Sequence, residues 1–265
     1  MIKRQVLVTD TAPLYPPRWG GPRRIWNLYS NLSEALFEVT YVGMHSGSAW
    51  QYKYNTIRAN FREILCGAPE HYFFWKPFKK VYSRDNSLDL FFYLRMHTDW
   101  HFKYALNFRE YDIVICSHPW SSPCINNKNC KLFIYDAHNC EYLLMKQLLK
   151  NSFFKRNILK QVWRIEKDAC RKSDIILVCS ENEKNDFIDL YKCQPGKIVI
   201  IPNGADVVQA NTLAGAGVVK KRGKRLIFLG AYYKPNIDAA KYIVEHLSRE
   251  LKDFQFLIAG TVGDG

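Results

Sequence analysis

The chain has 265 residues, 48% hydrophobic and 24% charged, a globular balance that excludes disordered and low-complexity architecture. No apolar run is long enough for a spanning helix, and the short apolar stretch 5–8 ends at Asp10, unlike a signal peptide. Thirty-eight Lys and Arg against 25 Asp and Glu give a net charge of +13, spread along the chain, which favours anionic partners and phosphate in particular.

Short apolar runs alternate with helical patterns over most of the length, as in a parallel α/β sheet. Residues 5–9 (QVLVT) are the first predicted strand, followed by a loop rich in Pro and Gly at 11–21. Pro22 suits a helix start, and Ile25, Leu28, Tyr29, Leu32 and Leu36 recur at helical spacing, so a helix is expected over 22–37. A second strand is expected at 39–42. Residues 50–110 are dense in aromatics and cations, with FFWKPFKK at 73–80 the extreme. A short strand near 61–65, irregular structure and a helix over 88–107 are expected there.

From residue 111 the pattern sharpens. Strands are expected at 111–116 and 131–135, then a long helix with Phe154, Ile158, Val162, Ile165 and Ala169 on one face, then strands at 175–179 and 197–201. Ser180 and Glu183 have capping-box spacing, and no G-x-S-x-G elbow surrounds Ser180, so it reads as a helix cap rather than a nucleophile. Pro202-Asn203-Gly204 marks a turn. Residues 205–224, with small side chains, no aromatic and a closing basic cluster, read as an interdomain linker.

A new β-α-β unit follows, with strand 225–229, Gly230, a helix to about 251 and strand 254–259. The expected fold is therefore α/β: a Rossmann-like parallel-sheet domain over 1–204, then the start of a second Rossmann-like domain over 225–265. So short a β-α-β unit cannot bury both faces of its sheet, so further chain, or a second chain, is expected to complete it.

The eight cysteines include no C-x-x-C pair and read as free thiols of a reducing compartment rather than metal ligands. Ligands of open parallel sheets bind beyond the carboxyl ends of the strands. Gly20 and Gly21 lie between the first strand and first helix, where they either only turn the chain or let backbone amides approach an anion. Arg23 and Arg24 in the first helical turn oppose the helix dipole and favour the anion. No G-x-G-x-x-G is present, so a dinucleotide site has little support.

The cluster Asp136-Ala137-His138-Asn139-Cys140-Glu141 is the densest polar group after a strand. His138 is the candidate to bond a substrate hydroxyl or phosphate, oriented by Asp136 or Glu141, and His118 is expected in the same crevice. In the second unit Lys234 and Asn236 follow the first strand, Asn236 as a helix cap. The aromatic-basic stretch 71–84 could enter a membrane interface or stack bases, and no RNA-recognition or helix-turn-helix motif is present.

Taken in order, these pieces resemble the retaining glycosyltransferases of the two-Rossmann-domain (GT-B) type, family four. YDAHNCE at 135–141 is similar to the strand end that carries the family's active-site histidine. SDIILVCSE at 173–181 with IPNGAD at 201–206 is similar to the family signature, and LIFLG at 226–230 with Pro235-Asn236 resembles the entry to the nucleotide-sugar domain. The loop AYYK at 231–234 departs from the Arg…Lys-Gly pattern common in the family, whose paired donor-side glutamates would lie beyond Gly265.

The resemblance implies a nucleotide-diphospho-sugar donor, a glycan or lipid-linked acceptor, retention at the anomeric carbon, and no metal or other cofactor. It implies His138 in contact with the transferred sugar and Gly21 near the donor diphosphate or acceptor. With the strand-end reading, the candidate catalytic residues are His138 and Asp136. The candidate donor- or acceptor-binding residues are Gly20, Gly21, Arg24, His118, Asn139, Glu141, Gly230 and Lys234. A cytoplasmic enzyme that touches the inner membrane face through 71–84 is expected. The rival is a non-catalytic glycosyltransferase-like binding module; a nucleic-acid partner is not expected.

Overall fold

The computed structural model divides the chain into two compact units, Met1–Gly204 and Ala205–Gly265. It describes residues 2–47, 51–69, 99–126, 130–149, 155–204, 224–232 and 234–264. The aromatic-basic stretch 71–84, residues 88–98 of the expected helix, Phe154 and nearly all of the expected linker lie outside the described residues.

The first unit is built on eight strands: β1 (Arg4–Thr9), β2 (Phe37–Gly47), β3 (Gln51–Arg58), β4 (Phe61–Pro69), β5 (Tyr111–Ser117), β6 (Cys130–Asp136), β7 (Ile175–Val178) and β8 (Ile198–Ile200). Their order across the sheet is β3-β4-β2-β1-β5-β6-β7-β8. Only β3 is antiparallel to its neighbour. The chain leaves β1 toward β2 on one side and returns to β5 on the other, so the topological switch point lies between β1 and β5.

The helices are α1 (Gly20–Tyr29), α2 (Trp100–Asn107), α3 (Glu141–Leu148), α4 (Lys155–Lys172) and α5 (Glu181–Tyr191). Strand residues alternate between two cores. Leu7, Val42, Ile64, Val114 and Phe133 pack with Phe102, Ala105 and Leu106 of α2 and Ile158, Val162 and Ile165 of α4. Val6, Val8, Val39, Tyr41, Phe61 and Ile115 pack with Ile25 and Tyr29 of α1. A third cluster joins Tyr135, Ile176 and Val178 to Ala169 of α4 and to Phe187 and Tyr191 of α5. Two covered faces explain why the central strands read as nearly continuous apolar runs.

Several boundaries differ from expectation for local reasons. The first helix begins at Gly20 and stops at Tyr29 instead of running over 22–37. Past it, side chains take the backbone carbonyls: Arg58 donates to Ser30 O (2.7 Å) and Asn60 to Leu32 O (3.2 Å), while Arg4 N pairs with Leu36 O (2.8 Å). The strands expected at 39–42 and 61–65 extend to Phe37–Gly47 and Phe61–Pro69. Strand β3 was not expected, because QYKYNTIR is a largely exposed edge strand whose one aromatic face is only two tyrosines long. Helix α3 is separate from α4, where one long helix was expected. Ser180 does cap α5, its Oγ accepting from Glu183 N at 3.2 Å, while Glu183 reaches back to Cys179 N at 2.7 Å.

The second unit comprises β9 (Arg225–Leu229), α6 (Lys234–Tyr242) and β10 (Gln255–Ala259), with β9 and β10 parallel. A π turn, Ile243–Leu247, and a helical turn, Ser248–Glu250, extend α6. Gly260 has φ +90°, and a Cβ there would lie 2.3 Å from Gly230 O, so the chain crosses itself closely at the carboxyl ends of the two strands. Asn236 is not the expected cap: it lies inside α6 and its Nδ2 donates to Ala231 O at 3.0 Å. Ile227 and Leu229 are 70% and 75% exposed. Among the described residues no helix is long and apolar enough to cross a membrane.

Candidate functional site

The carboxyl ends of β1, β5 and β6 bring five titratable side chains together. Asp10 follows β1, His118 follows β5, Asp136 ends β6, His138 lies in the next turn and Glu141 opens α3. His118 Nδ1 is 3.0 Å from Asp10 Oδ1, and its Nε2 is 3.9 Å from Glu141 Oε1. The His118 and His138 rings are 4.3 Å apart between centroids and tilted by 56°. Asp136 Oδ1 accepts from Arg24 Nε (3.1 Å) and Nη2 (2.9 Å), and Oδ2 accepts from the Tyr29 hydroxyl (2.7 Å). His138 Nε2 lies 3.6 Å from Oδ2, close enough for charge to act but beyond a hydrogen bond. Arg24 Nη1 donates to Ile201 O (2.8 Å) and Asn203 Oδ1 (3.0 Å), tying α1 to β6 and to the turn after β8.

The backbone of His118 has φ 65° and ψ 155°, a region populated almost only by glycine. Its N–H donates to Asp136 O at 3.3 Å, and a 3₁₀ turn, Pro119–Cys124, follows at once. The strained residue is thus held between β6 and a proline. Buried hydroxyls of Thr9 and Ser117, the last residues of β1 and β5, have no hydrogen-bond partner among the described residues.

The start of α1 faces the same cluster. A Cβ on Gly21 would lie 3.6 Å from His138 Nδ1 and 3.8 Å from His118 Cε1, so the glycine brings the start of α1 close to both rings with no side chain between. Gly20 is exposed, with nothing within 4 Å of a Cβ built there. No side chain caps α1 at Trp19 and no acidic residue lies in its first turn. Its positive end therefore stays available to an anion.

The charges are set by this packing. Burial works against the Asp136 carboxylate, but His138, Arg24 and Tyr29 outweigh it and hold its pKa down at about 2. Burial likewise opposes ionisation of Asp10, and His118 overcomes it, leaving the pKa lowered. Burial and the neighbouring His118 push His138 below the ordinary histidine value, against the pull of Asp136. Its imidazole is therefore neutral at pH 7. Burial, then the Asp136 charge, raises Tyr29 well above the usual phenol, so it remains a donor.

Beneath the site, Glu166 of α4 is fully buried. It accepts from Glu141 N and Tyr142 N (2.9 Å each), from Tyr135 OH (3.0 Å) and from Tyr191 OH. These bonds fix the first turn of α3 and hence Glu141. Burial raises the Glu166 pKa despite these donors.

The predicted residues divide clearly. Gly21, His118, Asp136, His138 and Glu141 are brought together. Of the two carboxylates expected to orient His138, Asp136 lies beside it, while Glu141 lies against His118. Arg24, expected to meet an anion, is buried and committed to Asp136 and two groups near β8. Asn139 is exposed. Gly230 and Lys234 belong to the second unit, Gly230 buried at the strand crossing. Asp10 and Glu166 were not foreseen. Asp10 directly follows the first strand, the position at which the other candidates were sought. Among the described residues no cluster of three or more His, Cys, Asp or Glu is arranged to hold a metal ion.

Residues 19–209 match the family described as Glycosyltransferase Family 4. No curated protein matches the chain. Among solved structures, the chain is similar to a UDP-forming α,α-trehalose-phosphate synthase from Burkholderia xenovorans in complex with glucose-6-phosphate. The identity is 14% and the TM-score 0.59, over 96% of this chain and 65% of that one. A synthase of the same description from Burkholderia vietnamiensis is 11% identical with TM-score 0.59, over 97% of this chain and 64% of that one. The catalytic domain of starch synthase IV from Arabidopsis thaliana, bound to ADP and acarbose, is 11% identical with TM-score 0.53, over 97% and 68%. The chain thus spans less than two thirds of the length of the two trehalose-phosphate synthases. At these identities the likeness speaks for the fold, that of GT-B glycosyltransferases. With the family match running from the start of α1 past β8, over most of the chain and every residue of the histidine cluster except Asp10, the chain belongs to Glycosyltransferase Family 4.

Proposed function

We propose that the chain supplies the acceptor-side domain and the opening of the donor-side domain of a retaining glycosyltransferase. It moves a sugar from a nucleotide-diphospho-sugar to a glycan or lipid-linked acceptor. The observation that carries this reading is the His118–His138 pair packed beside Gly21 at the uncapped start of α1. With Nε2–H turned to Asp136, the neutral His138 ring presents Nδ1 toward Gly21 as an acceptor for a sugar hydroxyl. Arg24 and Tyr29 hold Asp136, whose charge 3.6 Å from Nε2 favours the proton on that nitrogen. His118, between Asp10 and Glu141, is the second ring within reach of a hydroxyl proton. The leaving diphosphate gains charge as the glycosidic bond breaks, and the N-terminus of α1 can stabilise that charge without reorganising.

Gly230 and Lys234 are proposed as donor-side contacts. The similar solved enzymes include UDP-forming synthases, a starch synthase bound to ADP and a trehalose-6-phosphate synthase studied for transfer with retention, which supports the same donor class and stereochemistry for this chain. The net charge of +13 supports a cytoplasmic enzyme that touches an anionic membrane face.

The test is calorimetric titration with UDP, GDP, ADP and their glucose conjugates, followed by release of nucleoside diphosphate with candidate acceptors. Binding of one nucleotide series and an NMR-assigned product that keeps the donor's anomeric configuration are expected. Saturable acceptor binding with no nucleotide released from any donor would instead identify a non-catalytic module.

A further inference from the structure

At the opposite end of the sheet lies a cavity of about 330 Å³, lined among the described residues by Tyr52, Tyr54, Arg62, Ile64, Tyr104, Ala105, Phe108 and Arg109. Arg109 precedes β5 and His118 follows it, so roughly 30 Å of extended chain separates this cavity from the histidine cluster. We propose that it binds a sugar ring bearing a carboxylate or phosphate. The inference concerns a separate site and does not rest on the transferase reading.

The walls and the floor ask for different halves of such a ligand. Tyr52 and Tyr54 of β3 form one wall, with ring centroids 6.1 Å apart. Tyr104 within α2 and Phe108 just beyond its end form the other, with centroids 6.3 Å apart. Tyr54, Tyr104 and Phe108 are 69%, 62% and 44% exposed, so the slot opens to solvent between aromatic faces. Such faces pack against the C–H side of a sugar ring, and the volume is at the small end of ligand pockets, near one or two rings.

Cations form the remainder. Arg62 Nε and Arg109 Nη2 both donate to Thr40 Oγ1, at 3.1 and 2.8 Å, which places the two guanidinium groups side by side. Arg62 also pairs with Glu38, a half-exposed carboxylate outside the lining. Arg109 lies over the Phe108 and Tyr111 rings, 5.4 and 4.9 Å from their centroids, and its buried Nε has no hydrogen-bond partner among the described residues. One carboxylate beside two guanidinium groups leaves positive charge for a ligand anion.

Among the described residues the lining carries guanidinium groups and phenols, with the Tyr52 hydroxyl already donated to His101 O at 2.9 Å, and no carboxylate, amide or imidazole. They therefore suit a ligand rich in acceptor oxygens. A nucleobase needs acceptors for its amino groups, which these side chains supply poorly.

Isothermal titration of the chain with trigalacturonic acid, glucose 6-phosphate, maltotriose and inorganic phosphate tests the assignment. At least one of the acidic sugars is expected to bind at least tenfold more tightly than maltotriose or phosphate, and which of them does distinguishes carboxylate from phosphate. Tyr54→Ala/Tyr104→Ala, both at exposed positions, should weaken it tenfold or more. Arg62→Gln should narrow the gap between acidic and neutral sugars, and His138→Ala should leave binding unchanged. Equal binding of inorganic phosphate, no binding by either acidic sugar, or loss in His138→Ala with retention in the double tyrosine variant would overturn the proposal.

Discussion

Arg24 and Asp136, 112 residues apart in sequence, form a buried ion pair in which one carboxylate oxygen takes two guanidinium N–H groups. The pair joins α1 to β6 across the topological switch point and carries the candidate chemistry on the same carboxylate. Replacing both partners of such a pair by apolar groups can be nearly neutral, whereas removing one leaves a buried charge uncompensated. Arg24→Met should therefore destabilise the protein by about 3–5 kcal/mol. The Arg24→Met/Asp136→Asn double variant should lose clearly less than the sum of the single losses. Urea denaturation monitored by circular dichroism measures both, and additive losses would show that the residues act independently.

The same carboxylate sets an acid limit. Asp136 titrates at about 2 in the fold, against an ordinary value of 3.8. Its folded pKa lies below the unfolded one, so its contribution is complete above about pH 4 and is lost as pH falls toward 2. The shift corresponds to a contribution on the order of 2 kcal/mol. Stability of the wild type should fall in this window, with Asp10, also lowered, adding to the slope. Asp136→Asn should be less stable at pH 7 but show a shallower decline from pH 4 to 2. Parallel curves for the two proteins would contradict this.

His138 is neutral at pH 7 because it is buried beside another imidazole. Under the proposed function its replacement by Ala should lower kcat/KM at least ~100-fold. The wild-type rate should decline only on acidification, below the ordinary histidine range, as protonation removes the acceptor nitrogen. Initial rates of nucleotide release across pH 5–8 provide the check, and an undiminished rate in the variant would remove His138 from the site.

Gly21 separates stability from binding. A Cβ there makes only ordinary contacts with His138 and His118 and sits in a helix, where Ala is preferred over Gly by about 0.5–1 kcal/mol. Gly21→Ala should therefore be at least as stable as the wild type. It should bind donor or acceptor several-fold more weakly, because the methyl group takes the space between the helix start and both rings. Thermal denaturation and calorimetric titration of one preparation distinguish the two effects.

The strand ends were legible because apolar runs stop there and polar side chains begin at once, as at Tyr135-Asp136 and Cys116-Ser117-His118. What those side chains face was not. A cation in the first turn of α1 opposes the helix dipole, which suggested an anionic ligand. The anion is Asp136, brought in from β6 by the sheet order. Periodicity also reported an apolar face on α4 without weighing Glu166, although its spacing from Val162 and Cys170 places it on that buried face. A buried carboxylate becomes intelligible only when its donors are known, and those come from β6, α3 and α5. The all-parallel centre follows from composition, whereas the antiparallel edge formed by β3 depends on a hairpin with no apolar periodicity.

The left-handed backbone at His118 has a consequence for substitution. Residues other than glycine pay about 1–3 kcal/mol for such a conformation. Alanine inherits that cost without the imidazole's contact with Asp10, while glycine escapes it. His118→Gly should consequently unfold at a higher temperature than His118→Ala, the reverse of the usual ranking, and the gap would measure the tension stored at the bend. A site-directed library selected for thermal resistance alone should drift toward glycine at this position, giving up a ring for a relaxed chain.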